Sequence, residues 1–338
     1  VGRAAPSRAG TAKRQPTLED VARAAGVSRA TASRVVNGTR NVDPHLRSRV
    51  DEAVLATGYR PNQAARALVT KRTDAVALVL SGAHDATPAQ VFADPFFGRA
   101  AGGVVAALGE TGRYPLLVHA DTGAARSDVL TALAEGSLGG ALIVSTHPAD
   151  PLPVACAEAG LPAVTFARPA RGAALPHVDL DHARGGALAA EHLLARGRRG
   201  LATITGPLDV RASRERLRGF QGVAGACAVT EGGFTPASGE AAMARLLLDH
   251  PGLDGVFAAN DVMAEGALRT LAAAGRRVPE DVAVIGFDDS ATARTTSPPL
   301  TTIRQPVEDM AAAMVTLLGE PPSRALLFDP VLVVRAST

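Results

Sequence analysis

Near the start of the chain, apolar positions recur every three to four residues, and they fall into three short blocks. Leu18, Val21, Ala22 and Ala25 share one side of a first helix. Ala32, Val35 and Val36 share one side of a second, and Leu46, Val50, Ala53 and Val54 supply the inner face of a third. The punctuation agrees. Thr17 is placed to cap the first helix, with Glu19 and Asp20 in its positive first turn. Gly26 permits a tight turn, Val27 can plug the gap between helices, and Ser28 is a good cap for the second. Asp43-Pro44 opens the third helix and Gly58 ends it. Two short helices joined at a glycine turn form a helix-turn-helix, with the second helix placed for the major groove of DNA. Arg29, Ala30, Ser33 and Arg34 are left on its outer and leading faces, and the arginine forks have the reach for guanine O6 and N7. Beyond Pro61, "NQAARALV" reads as a short helix with little of its own to bury. One or two isolated turns are marginal in water, so this segment should fold only against a partner.

From Thr73 onward the rhythm changes. Strand-like runs such as "AVALVL", "PLLVHA", "GALIVS", "AVTFA", "LATITG" and "VAVIGFDD" alternate with helical stretches such as "FFGRAAGGVVAALGETG", "ARGGALAAEHLLARG" and "RERLRGFQGVAG". That is the alternation of a parallel α/β fold. The units are too many for one small sheet, and two similar sheets facing a cleft fit better. In open sheets of this kind ligands lie at the carboxyl ends of the strands. The polar residues of "ATITGP", "VFAAND" and "VIGFDD" stand at such ends.

Composition narrows the function. With 338 residues, 46% hydrophobic and 20% charged, a folded chain of two or three domains is expected. No apolar run approaches the roughly 18 residues of a membrane span. No apolar stretch follows the basic N-terminus, so a cytoplasmic location is expected. Cys156 and Cys227 lack metal-ligand spacing and fit a reducing compartment. The net charge of +2 hides an asymmetry: residues 1–72 carry 14 Arg/Lys against 5 Asp/Glu, and the rest carry 21 against 28. A basic head on an acidic body points to a polyanion partner for the head alone.

Enzyme signatures are not found. There is no Walker-type loop and no G-x-S-x-G elbow. His147, His177, His182 and His192 do not pair with cysteines or carboxylates at metal spacing. Asp288 and Asp289 are neighbours at a strand end and should point apart, which is poor geometry for a carboxylate pair. The reading is therefore a protein that binds and is not an enzyme, with no cofactor. The body alone would suit a transport binding protein, and the basic head argues against that.

"TLEDVARAAGVSRATASRVVNG" followed by "YRPNQAARAL" closely resembles the DNA-binding head of the LacI/GalR family of bacterial transcriptional regulators. The resemblance runs on through "HLLARGRRGLATITGP", "RERLRGF", "VFAANDVMAEGALRTLAAAGRRVPEDVAVIGFDD", "PPLTTIRQP" and "LVVRAST". It implies an all-α helix-turn-helix head on an α/β, periplasmic-binding-protein-like body of two parallel-sheet subdomains. It also implies a homodimer on a palindromic operator and a small carbohydrate effector. The implied layout is a disordered basic segment 1–16, a head 17–61, a hinge helix and linker 62–74, and a body 75–338. Within the body, 75–175 and 302–324 would form one subdomain, and 176–301 and 325–338 the other. Operator contacts are implied at Thr17, Ser28, Arg29, Ala30, Ser33, Arg34 and Asn37. Asn62, Ala65 and Leu68 of the hinge would enter the minor groove, with Leu68 as an apolar wedge between base steps. Whether the regulator represses or activates depends on where the operator lies, and a co-repressor that is not a sugar is the alternative to an inducer.

Five cleft residues are candidates for the effector. Arg214 can give two parallel hydrogen bonds to adjacent hydroxyls. Asp288 can accept from a hydroxyl pair, and Asn260 can donate and accept at once. These three match effector-contact positions of the family by motif. Phe97 and Phe234 could stack on a sugar face. Each has a plainer alternative: a surface salt bridge for Arg214, a helix cap for Asp288, core packing for a phenylalanine. The chain also departs from the family pattern. Ala167 stands where many members carry an acid, and the link "QGVAGACAVT" is short. The longer stretch "SGAHDATPAQVFADPFFG" resembles a subgroup that answers to plant-derived disaccharides such as cellobiose.

Overall fold

The structure is a computed structural model that describes residues 16–36, 42–59, 73–81, 93–145, 147, 149–169 and 173–338. The chain divides into two compact units, 1–72 and 73–338. The basic segment expected to be disordered, save its last residue, and most of the expected hinge, including Asn62, Ala65 and Leu68, lie outside the described residues, as does Asn37.

The head holds helices α1 (Leu18–Ala25), α2 (Arg29–Val36) and α3 (Pro44–Thr57). Their apolar stripes meet in a small core of Val21, Ala25, Val35, Val50 and Ala53. The α1–α2 turn is closed by chemistry as well as packing. Gly26 sits at φ 61°, in the left-handed region open to glycine. Arg49 of α3 donates to the Ala25 carbonyl at 2.7 Å, satisfying one of the free carbonyls at the end of α1. A Cβ at position 26 would lie 2.7 Å from that Arg49 nitrogen, so any larger residue would meet both strain and a clash.

The body is two six-stranded sheets. In the first, the strand order is β11 (Ala325–Phe328), β5 (His177–Leu180), β4 (Ala163–Phe166), β3 (Ala141–Ser145), β1 (Ala75–Ser81) and β2 (Tyr114–Ala120), parallel throughout. In the second it is β12 (Val331–Val333), β10 (Thr301–Arg304), β9 (Ala283–Asp288), β8 (Gly255–Ala258), β6 (Leu201–Thr205) and β7 (Ala228–Glu231). Only the β10–β12 pair is antiparallel. Helices α4 (Pro95–Glu110), α5 (Gly123–Ala134), α6 (Leu152–Glu158) and α12 (Val307–Leu317) belong to the first subdomain. Helices α7 (His182–Ala195), α8 (Arg211–Ala224), α9 (Pro236–Asp249), α10 (Asp261–Ala273) and α11 (Ala291–Thr295) belong to the second. β1 is buried along its whole length, as a strand covered on both faces must be. No helix among the described residues is long and apolar enough to cross a membrane.

The expected subdomain boundaries are corrected by the pairing. β5 and β11 belong to the first sheet and β10 to the second, so the chain crosses after Leu180, after Arg304 and after Phe328. The sequence alone suggests crossings at Pro176, near Thr302 and at Ala325, ahead of all three of the observed ones. Turn residues announce a break in the chain but not which sheet the next strand joins.

Helices α7 and α8 lie against each other through glycines. A Cβ on Gly219 would sit 1.8 Å from the Ala183 carbonyl oxygen, and one on Gly186 would sit 2.0 Å from that of Arg216. Gly219→Ala must therefore push the pair apart. It is expected to lower stability by about 1–3 kcal/mol or more, read as a lower urea midpoint at unchanged m-value.

Candidate functional site

In the head, burying Ala32 and Val35 turns the opposite side of α2 outward. Ser28, Arg29, Ala30 and Arg34 are exposed there, and Ser33 is half-buried. The Ser28 hydroxyl accepts from the Thr31 amide at 3.1 Å, which fixes the start of the helix. Arg29 lies 3.8 Å from Glu19, with both side chains well exposed. Such a pair contributes at most about 1 kcal/mol and exchanges readily for a phosphate or base edge. Thr17 is engaged in capping: its hydroxyl donates to Asp20 Oδ2 at 2.7 Å and accepts from the Asp20 amide at 3.4 Å. Its part is to start α1.

In the body, the carboxyl ends of the strands face a narrow cleft lined by Asp94, Phe96, Arg99, Asn260, Asp288 and Ser290, among others. Arg216 of α8 is buried beside it. Its guanidinium stacks 3.6 Å over the Phe287 ring and donates to the Ala259 carbonyl, to Gln305 Oε1 at 3.2 Å and to His182 Nδ1 at 3.3 Å. Asp288 Oδ1 lies 3.9 Å from Arg216 Nη2. Those three bonds leave two of the five guanidinium N–H groups without a hydrogen-bond acceptor among the described residues.

Three carboxyls surround this one cation. Burial pushes Asp288 well above the usual carboxylate range; Arg216 opposes the rise, and Asp261 and Asp94 add to it. Burial lifts Asp261 to about 6, although Thr302 Oγ1 donates to it at 2.6 Å and the Ser290 amide at 2.7 Å. Asp94 is raised by burial too, while its carboxylate caps α4 through the Phe96 amide at 2.9 Å. The cleft thus offers one buried positive fork and several acceptors whose charged forms are disfavoured by burial. That is a donor–acceptor mixture suited to hydroxyl groups more than to a charged ligand.

The candidates from sequence are placed as follows. Asn260 and Asp288 line the cleft. Asn260 also caps α10, its Oδ1 accepting from the Met263 amide at 2.9 Å. Asn260→Ala should cost about 0.5–2 kcal/mol of stability from the lost cap alone, measurable by thermal unfolding. Arg214 is corrected: it is exposed and donates from Nη1 to the carbonyls of Leu208 and Asp209, both at 2.7 Å. Arg216, two residues on and so about 200° around the helix, holds the inner position. Phe97 is corrected as well. It packs in the core with Ala100, Val104 and Leu108, and Phe96 lines the cleft in its place, edge-on to Phe97 and Phe166. Phe234 is half-buried at φ 58°, its ring over Gly206, and packs on the second-sheet core. Both corrections are matters of helical phase, which the sequence leaves open. Ser213, Arg216 and Phe220 share the buried face of α8, and Phe97, Ala100, Val104 and Leu108 share that of α4.

Two further features frame the cleft. Ala167 ends β4 at φ 73°, and Arg168 after it pairs with Asp179 at 3.7 Å, so a methyl group stands where the family resemblance leads one to expect an acid. His147, beyond β3, meets Asp209, beyond β6, at 3.2 Å across the cleft. His147 Nδ1 accepts from the Ala149 amide at 3.1 Å, so Nε2 carries the proton offered to Asp209.

A helix-turn-helix head joined to a two-sheet body with a polar cleft at its strand ends defines a DNA-binding regulator with a ligand-binding domain. Residues 17–62 match the bacterial regulatory proteins of the lacI family, and residues 190–338 match the periplasmic binding protein-like domain. The chain is 44% identical over 315 residues to the HTH-type transcriptional regulator CelR of Thermobifida fusca, covering 90% of this chain and 92% of that one. It is 30% identical to the ribose operon repressor of Escherichia coli K12, over 89% of this chain and 92% of that one. Among solved structures it resembles a CelR–cellobiose complex, with TM-score 0.72 and 40% identity over 96% of this chain and 100% of that one. It also resembles the lac repressor dimer bound to operator and an anti-inducer, with TM-score 0.80 and 27% identity over 96% and 99%. The chain belongs to the LacI family of bacterial transcriptional regulators.

Proposed function

We propose that the protein is a dimeric repressor of sugar-utilisation genes, released from a near-palindromic operator when a neutral disaccharide of the cellobiose type occupies the cleft. The observation that carries this reading is the buried Arg216–Asp288 pair beside Asn260 and Phe96, a hydroxyl-binding chemistry with one aromatic platform. The likeness to a regulator solved with cellobiose supports the choice of sugar. The cleft as it stands leaves no room for a water-sized sphere, so it would have to part, at His147–Asp209 among other contacts, to admit two rings.

The head would read bases with Arg29, Ala30 and Arg34, while Ser28, Ser33 and Asn37 hold phosphates. Two heads on two half-sites follow from dimer symmetry. Effector would shift the population of subdomain arrangements and weaken operator binding by a coupling of about 1–3 kcal/mol, roughly 5–150-fold, and DNA would weaken effector equally. Asn62, Ala65 and Leu68 would form the paired hinge, and Leu68→Ala should reduce the DNA bend in circular-permutation assays without touching sugar affinity. The cleft binds its ligand without converting it: Asp288 faces Arg216, whereas Asp289 is tied to Arg304 and Arg335.

The test is a gel shift on the gene's own upstream DNA at several salt concentrations, with and without cellobiose and simple sugars. Release by cellobiose is the expected result. Tighter binding with ligand would make it a co-repressor, and no specific shift at all would overturn the reading.

A further inference from the structure

Arg99 is the side chain that joins three parts of the body at once. It leaves α4 of the first subdomain with four of its five guanidinium N–H groups engaged. Nε and Nη2 donate to the two carboxylate oxygens of Glu308 at 2.7 Å each, a fork-on-fork pair within the first subdomain. Nη1 donates across the cleft to the carbonyl of Asp288 at 2.8 Å, and Nη2 also reaches the carbonyl of Gln305 at 3.1 Å, just past the β10–α12 crossing.

The acceptor across the cleft is an unusual one. Asp288 sits at φ 105° and Asp289 at φ 52°, both in the region that residues with a side chain rarely adopt. Such a backbone persists only where its surroundings hold it, and the charge-assisted bond from Arg99 falls on the carbonyl of Asp288 itself. The same backbone turn sends the carboxyl of Asp288 toward Arg216 and that of Asp289 toward Arg304 and Arg335. Gln305 closes the circuit: its carbonyl takes Arg99 and its side-chain oxygen takes Arg216.

We propose that Arg99, held ready by Glu308, is a positioning residue that sets the Asp288 backbone for effector binding and ties that setting to the crossing at Gln305. Glu308 and Arg99 belong to the same subdomain and move together, whereas the Asp288 carbonyl belongs to the other. Parting the subdomains therefore breaks the bond to Asp288 while the Glu308 pair survives. A lysine cannot replace the fork, because one ammonium cannot serve Glu308, Gln305 and Asp288 from one point.

The ligand arm of the test rests on the effector reading above; the exchange arm does not. Full-length wild type, R99Q, R99K and E308Q are compared by amide hydrogen exchange without ligand and by calorimetry with cellobiose. R99Q and R99K are expected to exchange at least tenfold faster in peptides covering 283–290 and 301–308, with the remainder of the body unchanged. Their cellobiose affinity should fall at least tenfold, and that of E308Q by about threefold, since its Arg99 keeps both carbonyl bonds. Unchanged exchange at 283–290, faster exchange throughout the body, or full rescue by R99K would overturn the role. If R99Q does not fold, R99K and E308Q carry the same readouts. Wild type that ignores cellobiose would overturn the effector reading, and the exchange arm would still decide the role of Arg99.

Discussion

Arg216→Ala is expected to abolish measurable effector binding and to destabilise the body by about 3–5 kcal/mol, the cost of stranding a buried charge partner. The variant loses the three hydrogen bonds to Ala259, Gln305 and His182 and the stacking on Phe287. It also leaves Asp288 and Asp261 without the cation that favours their charged forms. The loss should depend on pH, and the sign follows from linkage. A carboxyl whose pKa is higher folded than unfolded binds more protons in the folded state, so lowering the pH stabilises the fold. Asp261 is already lifted to about 6 and Asp288 is raised well above the ordinary value. Removing Arg216 raises Asp288 further. The stability deficit of the variant, measured by urea unfolding, should therefore shrink as the pH is lowered and Asp288 takes up its proton. A deficit that grows on acidification would show that Asp288 is not the stranded group. Arg214→Ala is the internal comparison: an exposed arginine bound to two loop carbonyls should cost little stability and leave cellobiose titrations near wild type.

The second large effect lies in the head. Arg34→Ala should weaken binding to the specific operator by about 1–3 kcal/mol, roughly 5–150-fold, and binding to random DNA far less. Arg34 is exposed on the same α2 surface as Ser28, Arg29 and Ala30, and the head core does not need it. Thermal unfolding of the variant should match wild type. The measurement is fluorescence anisotropy on both DNAs across a salt series. Equal losses on the two, with a salt slope reduced by about one, would make Arg34 a phosphate contact. Arg29→Ala is expected to be the milder change, because in free protein Arg29 already has Glu19 nearby, and loss of the arginine also removes that pairing.

The amino-acid sequence by itself determined the local structure of this protein. Thr17, Gly26, Ser28, Asp43 and Gly58 mark the ends of the head helices because caps and glycine turns act within four or five residues of themselves. The alternation of strand and helix from Thr73, and the polar ends of β8 and β9 that carry Asn260 and Asp288, are local patterns of the same kind. Tertiary structure decided the rest. Whether β5, β10 and β11 join one sheet or the other depends on pairings between strands up to about 150 residues apart, which no turn residue encodes. Helical phase decided which of two arginines and which of two adjacent phenylalanines reach the cleft. The motif "RERLRGF" contains the inner and the outer arginine alike, and only the packing of Ser213, Arg216 and Phe220 against the body turns Arg216 inward. The left-handed backbone of Asp288 is the clearest case, since nothing local favours it. It is held by Arg99 from the other subdomain, 189 residues away, through a carbonyl bond that exists only when the two sheets face each other.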